Sequence, residues 1–220
     1  MIVVAKRPAP GRTKTRLVPP LSPIEAADLY ECLLNDTVDL VRGLQDVHVV
    51  LAYLPADEAQ YFATLAPDFE LIPQRGDSLG ERLDHALTHY LSQGYRHVAV
   101  MNSDGPTLPR DHLVACFDAL AAGSEVVIGP CSDGGYYLLG ARQPVPRLTR
   151  EVQMSTPRVT ADTLALALEE GLRVHLLPYW YDVDDPPTLL RLITELAEKG
   201  DVAAHTRRFL KEAHPLGEAT

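Results

Sequence analysis

Short apolar runs alternate with helix-patterned segments from the second residue to about Leu210, and no feature of the sequence constrains the fold more tightly. The runs Ile2 to Ala5, Val47 to Ala52, Phe69 to Ile72, Val98 to Met101, Val126 to Ile128 and Val174 to Leu177 are short and rich in Val, Ile or Leu. Strands covered on both faces have this character, and strands separated by helices pair in parallel. Ser22-Pro-Ile-Glu25 joins a capping serine, a proline at the first helical position and a glutamate three residues after the cap, which predicts a helix over Pro23 to Arg42 ending at Gly43. Ser78-Leu-Gly-Glu81 is a second such box and opens a helix to Leu91, with Gly94 beyond its end. Further helices fit Arg110 to Ala122, Val159 to Glu170, Pro186 to Lys199 with Asp185 as cap, and Val202 to Ala213. Tyr136 to Leu139 is strand-like too, but it follows Gly134-Gly135 and precedes a proline-rich stretch, Pro144 to Pro157, where regularity lapses. A mixed sheet is expected there.

The expected class is therefore α/β, with three layers around a central, mostly parallel mixed sheet. The chain has 220 residues, 46% of them hydrophobic, which suits one domain over residues 1–213 with a tail at 214–220. Twenty Lys and Arg against thirty Asp and Glu leave a net charge of -10, which repels nucleic acid. No apolar run reaches the roughly 18 residues that cross a bilayer, and the apolar start Met1 to Ala5 is too short for a signal peptide, so no membrane and a cytoplasmic location are expected. Cys32, Cys116 and Cys131 are far apart and read as reduced packing residues.

In open α/β sheets the ligand sits beyond the carboxyl ends of the strands, so the residues that follow each strand carry the functional information. After the first strand come Lys6, Arg7, Arg12, Lys14 and Arg16 in eleven positions, with Gly11 among them. In an acidic chain such a loop is either a polyphosphate site or a solvated loop paired with surface carboxylates. The spacing is neither that of a P-loop nor that of a dinucleotide fingerprint. Asp104 follows the fourth strand, where a carboxylate holds Mg²⁺ against phosphate oxygens or simply makes a turn before Gly105-Pro106. Asp182 and Asp184 follow the last strand and offer a second carboxylate to such a site, with Asx turns as the competing account. Asp133 before Gly134-Gly135 suits either a ligand contact or a tight hairpin. His85 and His89 lie four apart on a helix, with no third ligand in view, and read as a solvated face.

Taken together, these residues resemble the nucleotide-diphospho-sugar transferase superfamily, whose GT-A fold carries nucleotidylyltransferases and glycosyltransferases. Within it the chain is most similar to a bacterial glycosyltransferase A-like, cofactor-guanylyltransferase-like branch of unassigned function. The resemblance spans Ile2 to about Leu196. It rests on K-x-P-x-x-G-x-x-K-T-R-L from Lys6 to Leu17, Q-x-G-D-x-L-G-x-R-L from Gln74 to Leu83, S-D-x-P-x-L from Ser103 to Leu108, S-D-G-G-Y-Y-L-L-G from Ser132 to Gly140, S-T-P-x-V from Ser155 to Val159, and D-V-D-D from Asp182 to Asp185.

The resemblance implies a Rossmann-like GT-A fold and a role for each position. The loop holding Lys6, Gly11, Arg12, Lys14 and Arg16 would bind nucleotide, with Lys14 and Arg16 on the phosphates and Lys6 near the acceptor. Gln74 and Gly80 would contact the base. Asp104 and Asp184 would hold Mg²⁺ or Mn²⁺, with Asp182 the alternative to Asp184. Asp133, Gly134, Gly135, Ser155 and Thr156 would line the acceptor side. Two departures stand out: Gly11 is alone where related nucleotidylyltransferases have a denser glycine pattern, and Asn102 takes the first place of a glycosyltransferase D-x-D. The expected activity is metal-dependent transfer of a nucleotidyl group from a nucleoside triphosphate to a small phosphorylated acceptor, with Lys14, Arg16 and Asp104 catalytic. Sugar transfer from an NDP-sugar is the alternative, and nucleotide binding without catalysis is a third reading. The base, the acceptor and the oligomeric state are left open.

Overall fold

A computed structural model describes residues 1–213; the tail expected at 214–220 lies outside the described residues. The strands are β1 (Ile2–Lys6), β2 (Val50–Leu54), β3 (Glu70–Pro73), β4 (Val98–Met101), β5 (Val126–Pro130), β6 (Tyr136–Ala141) and β7 (Val174–Leu176). They form one seven-stranded sheet in the order β3-β2-β1-β4-β6-β5-β7. All neighbours are parallel except β6, which runs antiparallel to both β4 and β5. The expected mixed sheet is therefore present, with its reversal at the position expected.

The helices are α1 (Pro23–Arg42), α2 (Ala59–Leu65), α3 (Leu79–Ser92), α4 (Arg110–Ala121), α5 (Pro146–Arg150), α6 (Val159–Glu169), α7 (Pro186–Glu198) and α8 (Ala204–Ala213), with one 3₁₀ turn at Thr15–Leu17. The boxes at Ser22/Glu25 and Ser78/Glu81 close as the sequence predicts, and Asp185 caps α7 by accepting the Thr188 N–H at 2.9 Å. Alternate residues of each strand face opposite layers. Val3, Leu51, Ala99, Met101 and Val127 pack with Leu34, Phe62, Leu113 and Leu120, while Ile2, Val50, Val100 and Ile128 pack with Leu83, Leu87 and Leu148. A third cluster joins Leu17 of the 3₁₀ turn to α1, α7 and α8 through Leu29, Leu33, Leu192 and Leu210.

Two local expectations are corrected, and one helix, α2, lies where the sequence marks none. The second strand begins at Val50 rather than Val47, because its partner begins at Ile2, which pairs with Val50. Helix α2 lies in a stretch that has no side-chain cap and only one fully buried side chain, Phe62. Helix α5 fills part of the proline-rich stretch, started by Pro146 at a position where the missing N–H costs nothing.

Candidate active site

The carboxyl ends of β1 and β4 and the amino end of the reversed β6 meet at one edge of the sheet. A cleft of about 520 Å³ opens there. Its wall carries Lys6, Arg12, Lys14, Arg16, Gln74, Asp104, Asp133, Gly135, Ser155, Thr156, Asp182 and Asp184. These come from six separate stretches of sequence.

The basic loop is shaped by two anchors. Thr13 is buried, and its hydroxyl both accepts the Ala9 N–H (3.2 Å) and donates to the Ala9 carbonyl (3.1 Å). Leu17 is completely buried in the third cluster. Lys14 lies between them with φ 49°, in the left-handed region that non-glycine residues occupy only when their surroundings dictate it. Its side chain is 4% exposed, and its ammonium donates to Asp104 Oδ1 at 2.5 Å and Asp184 Oδ1 at 2.7 Å. Arg16 Nη2 lies 3.8 Å from Asp184 Oδ2. Carboxylates eighty positions apart thus gather at one buried cation. Burial alone would lower the Lys14 pKa, but the two carboxylates overturn that and hold it above its usual value. Burial likewise works to raise the Asp184 pKa, and the Lys14 ammonium outweighs it and keeps the carboxyl below its usual range.

Asp182 is in a different situation. Its Oδ2 accepts the Asn102 side-chain N–H at 2.8 Å and the Cys131 thiol at 3.3 Å, while its buried Oδ1 has no partner. Burial, reinforced by the nearby Asp104 charge, pushes its pKa up to about 7. Asn102 also accepts the Asp104 N–H through Oδ1, at 3.4 Å. The two acidic loops are joined by the Val183 N–H donating to the Asp104 carbonyl at 3.0 Å, and Gly105 permits their close approach: a Cβ there would stand 3.2 Å from the Tyr181 carbonyl oxygen.

At the β3 end, Gln74 Nε2 donates to the carbonyls of Ala5 (3.0 Å) and Ala52 (2.9 Å). Two carbonyl acceptors require the amide nitrogen, so Oε1 is the atom left for a ligand. On the opposite rim, Asp133 Oδ1 accepts the Gly135 N–H at 2.9 Å, so the carboxylate also makes a tight turn. Ser155 has φ 63°, and the Thr156 hydroxyl donates to the Gln153 carbonyl at 3.0 Å.

Three expected ligand residues lie outside the cleft wall. Gly11, at φ +72°, is exposed in the basic loop. Gly80 is buried with its α-carbon against the Thr149 carbonyl of α5, and Gly134, at φ +91°, is backed by the Pro157 carbonyl; a Cβ at either would collide with that backbone. Their glycines are explained by packing. His85 and His89 stack on α3 with ring centroids 6.1 Å apart, and no group of three or more His, Cys, Asp or Glu among the described residues is arranged to hold a metal. Burial raises the pKa of the Cys131 thiol, in keeping with a packing residue.

Sequence reasoning missed Tyr30. Its hydroxyl accepts the Lys6 N–H at 3.1 Å and lies 3.0 Å from Ser103 Oγ, tying α1 to the ends of β1 and β4. A tyrosine on the apolar face of a helix gave no signal of this. Tyr136 and Met154, which also line the cleft, were likewise unmarked.

Residues 37–156 match the family described as an uncharacterized protein conserved in bacteria, DUF2064. The chain belongs to that family. A crystal structure from Desulfovibrio desulfuricans G20, provisionally assigned as a nucleotide-diphospho-sugar transferase, is similar at TM-score 0.89 and 29% identity, over 97% of this chain and 94% of that one. CMP:2-keto-3-deoxy-manno-octonic acid synthetase complexed with CTP is similar at TM-score 0.57 and 14% identity, over 90% and 98%. A manganese complex of Rv0371c from Mycobacterium tuberculosis H37Rv is similar at TM-score 0.50 and 17% identity, over 88% and 97%. No curated protein matches the sequence. The fold is that of the nucleotide-diphospho-sugar transferases, as the sequence motifs imply.

Proposed function

We propose that this DUF2064 protein is a nucleotidylyltransferase whose residues 1–213 act as one domain. A phosphate or phosphonate oxygen of a small acceptor attacks the α-phosphorus of a nucleoside triphosphate. The new P–O bond forms as the bond to the bridging oxygen breaks, and pyrophosphate leaves with the electron pair. The observation that carries the reading is the convergence of Asp104 and Asp184 on one buried cation at the floor of a cleft lined by Lys6, Arg12 and Arg16.

The donor set fits a hard divalent cation. Two aspartate oxygens already face one positive charge, and Mg²⁺ typically takes one or two carboxylates and completes its shell with water and substrate. Asp104 and Asp184 would hold it, and when bound it would neutralise developing phosphate charge. Asp182, bonded to Asn102 and Cys131, is left in a supporting role. Such transfer asks little of general acids and bases and depends on alignment and charge. Lys14 and Arg16 supply cations to the triphosphate, and Lys6 and Arg12 widen that field toward the acceptor. Gln74 Oε1 accepts an N–H from the base. Asp133, Gly135, Ser155 and Thr156 form the acceptor rim.

Transfer of a sugar from an NDP-sugar is the second reading, favoured by the similarity to the Desulfovibrio protein. Against it, Asn102-Ser-Asp104 turns only its last residue to the cation: Asn102 holds Asp182 and Ser103 is buried against Tyr30. The test supplies triphosphates and NDP-sugars with Mg²⁺ and small phosphorylated acceptors, and measures what is released. Pyrophosphate is expected, with turnover falling at least about a hundredfold in Asp104→Asn. Release of nucleoside diphosphate from an NDP-sugar would support the second reading, and unchanged metal-dependent turnover in Asp104→Asn would overturn the site assignment.

A further inference from the structure

We infer that Lys14 is the resident counter-ion of the Asp104–Asp184 pair, so that Lys14 and a divalent cation exclude one another there and the protein takes up metal weakly until phosphate draws the lysine away. The inference rests on assigning Asp104 and Asp184 to metal and goes beyond it by making metal and nucleotide mutually dependent.

Three observations carry it. The ammonium lies 2.5 Å from Asp104 Oδ1 and 2.7 Å from Asp184 Oδ1, so it fills the gap between the two carboxylates, and two positive charges do not share that space. The Lys14 side chain is 4% exposed, and its backbone is left-handed, at φ 49°, between the Thr13 and Leu17 anchors. Three carboxylates, Asp104, Asp182 and Asp184, crowd the floor, and the other near cation, Arg16, is 3.8 Å from Asp184 and 73% exposed. Asp104 and Asp184 share the Lys14 ammonium as their common charged partner.

A metal arriving alone must break two charge-assisted hydrogen bonds and leave the ammonium without an anion. A metal arriving with phosphate meets neither cost, because the flexible lysine stem carries its charge from carboxylate to phosphate oxygen. By linkage, phosphate then strengthens metal binding and metal strengthens phosphate binding by the same factor.

The test uses Mn²⁺ alone, titrated by electron paramagnetic resonance into the wild type, Lys14→Met and Asp104→Asn. Lys14→Met is expected to bind Mn²⁺ about tenfold or more tightly than the wild type, and Asp104→Asn to lose binding. Equal affinity in wild type and Lys14→Met, with Asp104→Asn still losing it, would overturn the inference and leave the metal assignment standing. Binding indifferent to Asp104→Asn would overturn the assignment itself. A second measurement needs no variant: acylation of surface amines, read by mass spectrometry, should leave Lys14 unmodified in the free protein and modify it at saturating Mn²⁺, with Lys199 labelled equally in both. Lys14 still protected at saturating Mn²⁺ would refute the exclusion even if Lys14→Met fails to fold.

Discussion

Asp182 is a carboxyl whose folded environment favours its neutral form, and Asp182→Asn turns that into a stability measurement. Asparagine copies the shape of the protonated side chain. Its oxygen can keep accepting from Asn102 and Cys131, and its amide nitrogen takes the place of the partnerless Oδ1. The pKa rises from 3.8 unfolded to about 7 folded, so between those values the folded wild type keeps a proton that the unfolded chain has lost. Wild-type stability therefore falls as pH climbs through this window and levels off above it. At about 1.4 kcal/mol per tenfold change in proton affinity the ceiling is ~4 kcal/mol. The variant lacks this loss. Urea denaturation from pH 4.5 to 8, without metal or nucleotide, should show the difference between the two proteins shifting in the variant's favour by about 2–4 kcal/mol across that range. Other groups titrating in the range, such as His85, His97 and His112 with their lowered values, are common to both and cancel in the difference. The depressed Asp184 acts in the opposite sense and at lower pH: its contribution is present above the usual carboxylate range and lost as pH falls through its folded value. Parallel curves would refute the claim that Asp182 is held neutral by its surroundings.

Gly80→Ala drives a methyl group into the Thr149 carbonyl and should cost about 1–3 kcal/mol, lowering the melting temperature by roughly 2–4 °C per kcal/mol; an unchanged temperature would show that α5 yields freely. Asp36→Ala removes the carboxylate that accepts the His205 and Thr206 N–H groups at 2.9 Å and the Thr206 hydroxyl at 2.6 Å. Amide exchange across 204–213 should accelerate at least about tenfold in that variant while the sheet stays protected, since an unmet buried donor costs ~1–3 kcal/mol.

What the sequence shows clearly is what short-range chemistry decides. The capping boxes at Ser22 and Ser78 are legible because cap and partner lie three residues apart, and the inner strands because both their faces are apolar. The start of β2 is not legible, because it depends on where β1 offers a partner. In the site, Asp104 stands out as a carboxylate just past the end of β4 and Asp184 as one in the acidic run before α7. Their meeting at Lys14 does not, since it needs the Val183–Asp104 backbone bond and the anchoring of Thr13. Asn102, a departure from a sequence pattern, becomes intelligible only when its amide is seen bridging two acidic loops. Gly80 and Gly134 read as ligand-facing from their motifs, and the backbone behind each of them explains the glycine instead.

The turn before β6 is fastened to the start of α6: the Thr160 N–H donates to the Gly134 carbonyl at 2.9 Å, and the Thr160 hydroxyl to the Gly135 carbonyl at 2.5 Å. Two hydrogen bonds from Thr160 thus join the 133–135 turn to the start of α6, just after 155–157, although some twenty residues separate the two segments along the chain. On the proposed reading, in which these segments form the acceptor rim, a graft meant to change the acceptor would have to carry both pieces together with Thr160, because either half alone would arrive without its clasp.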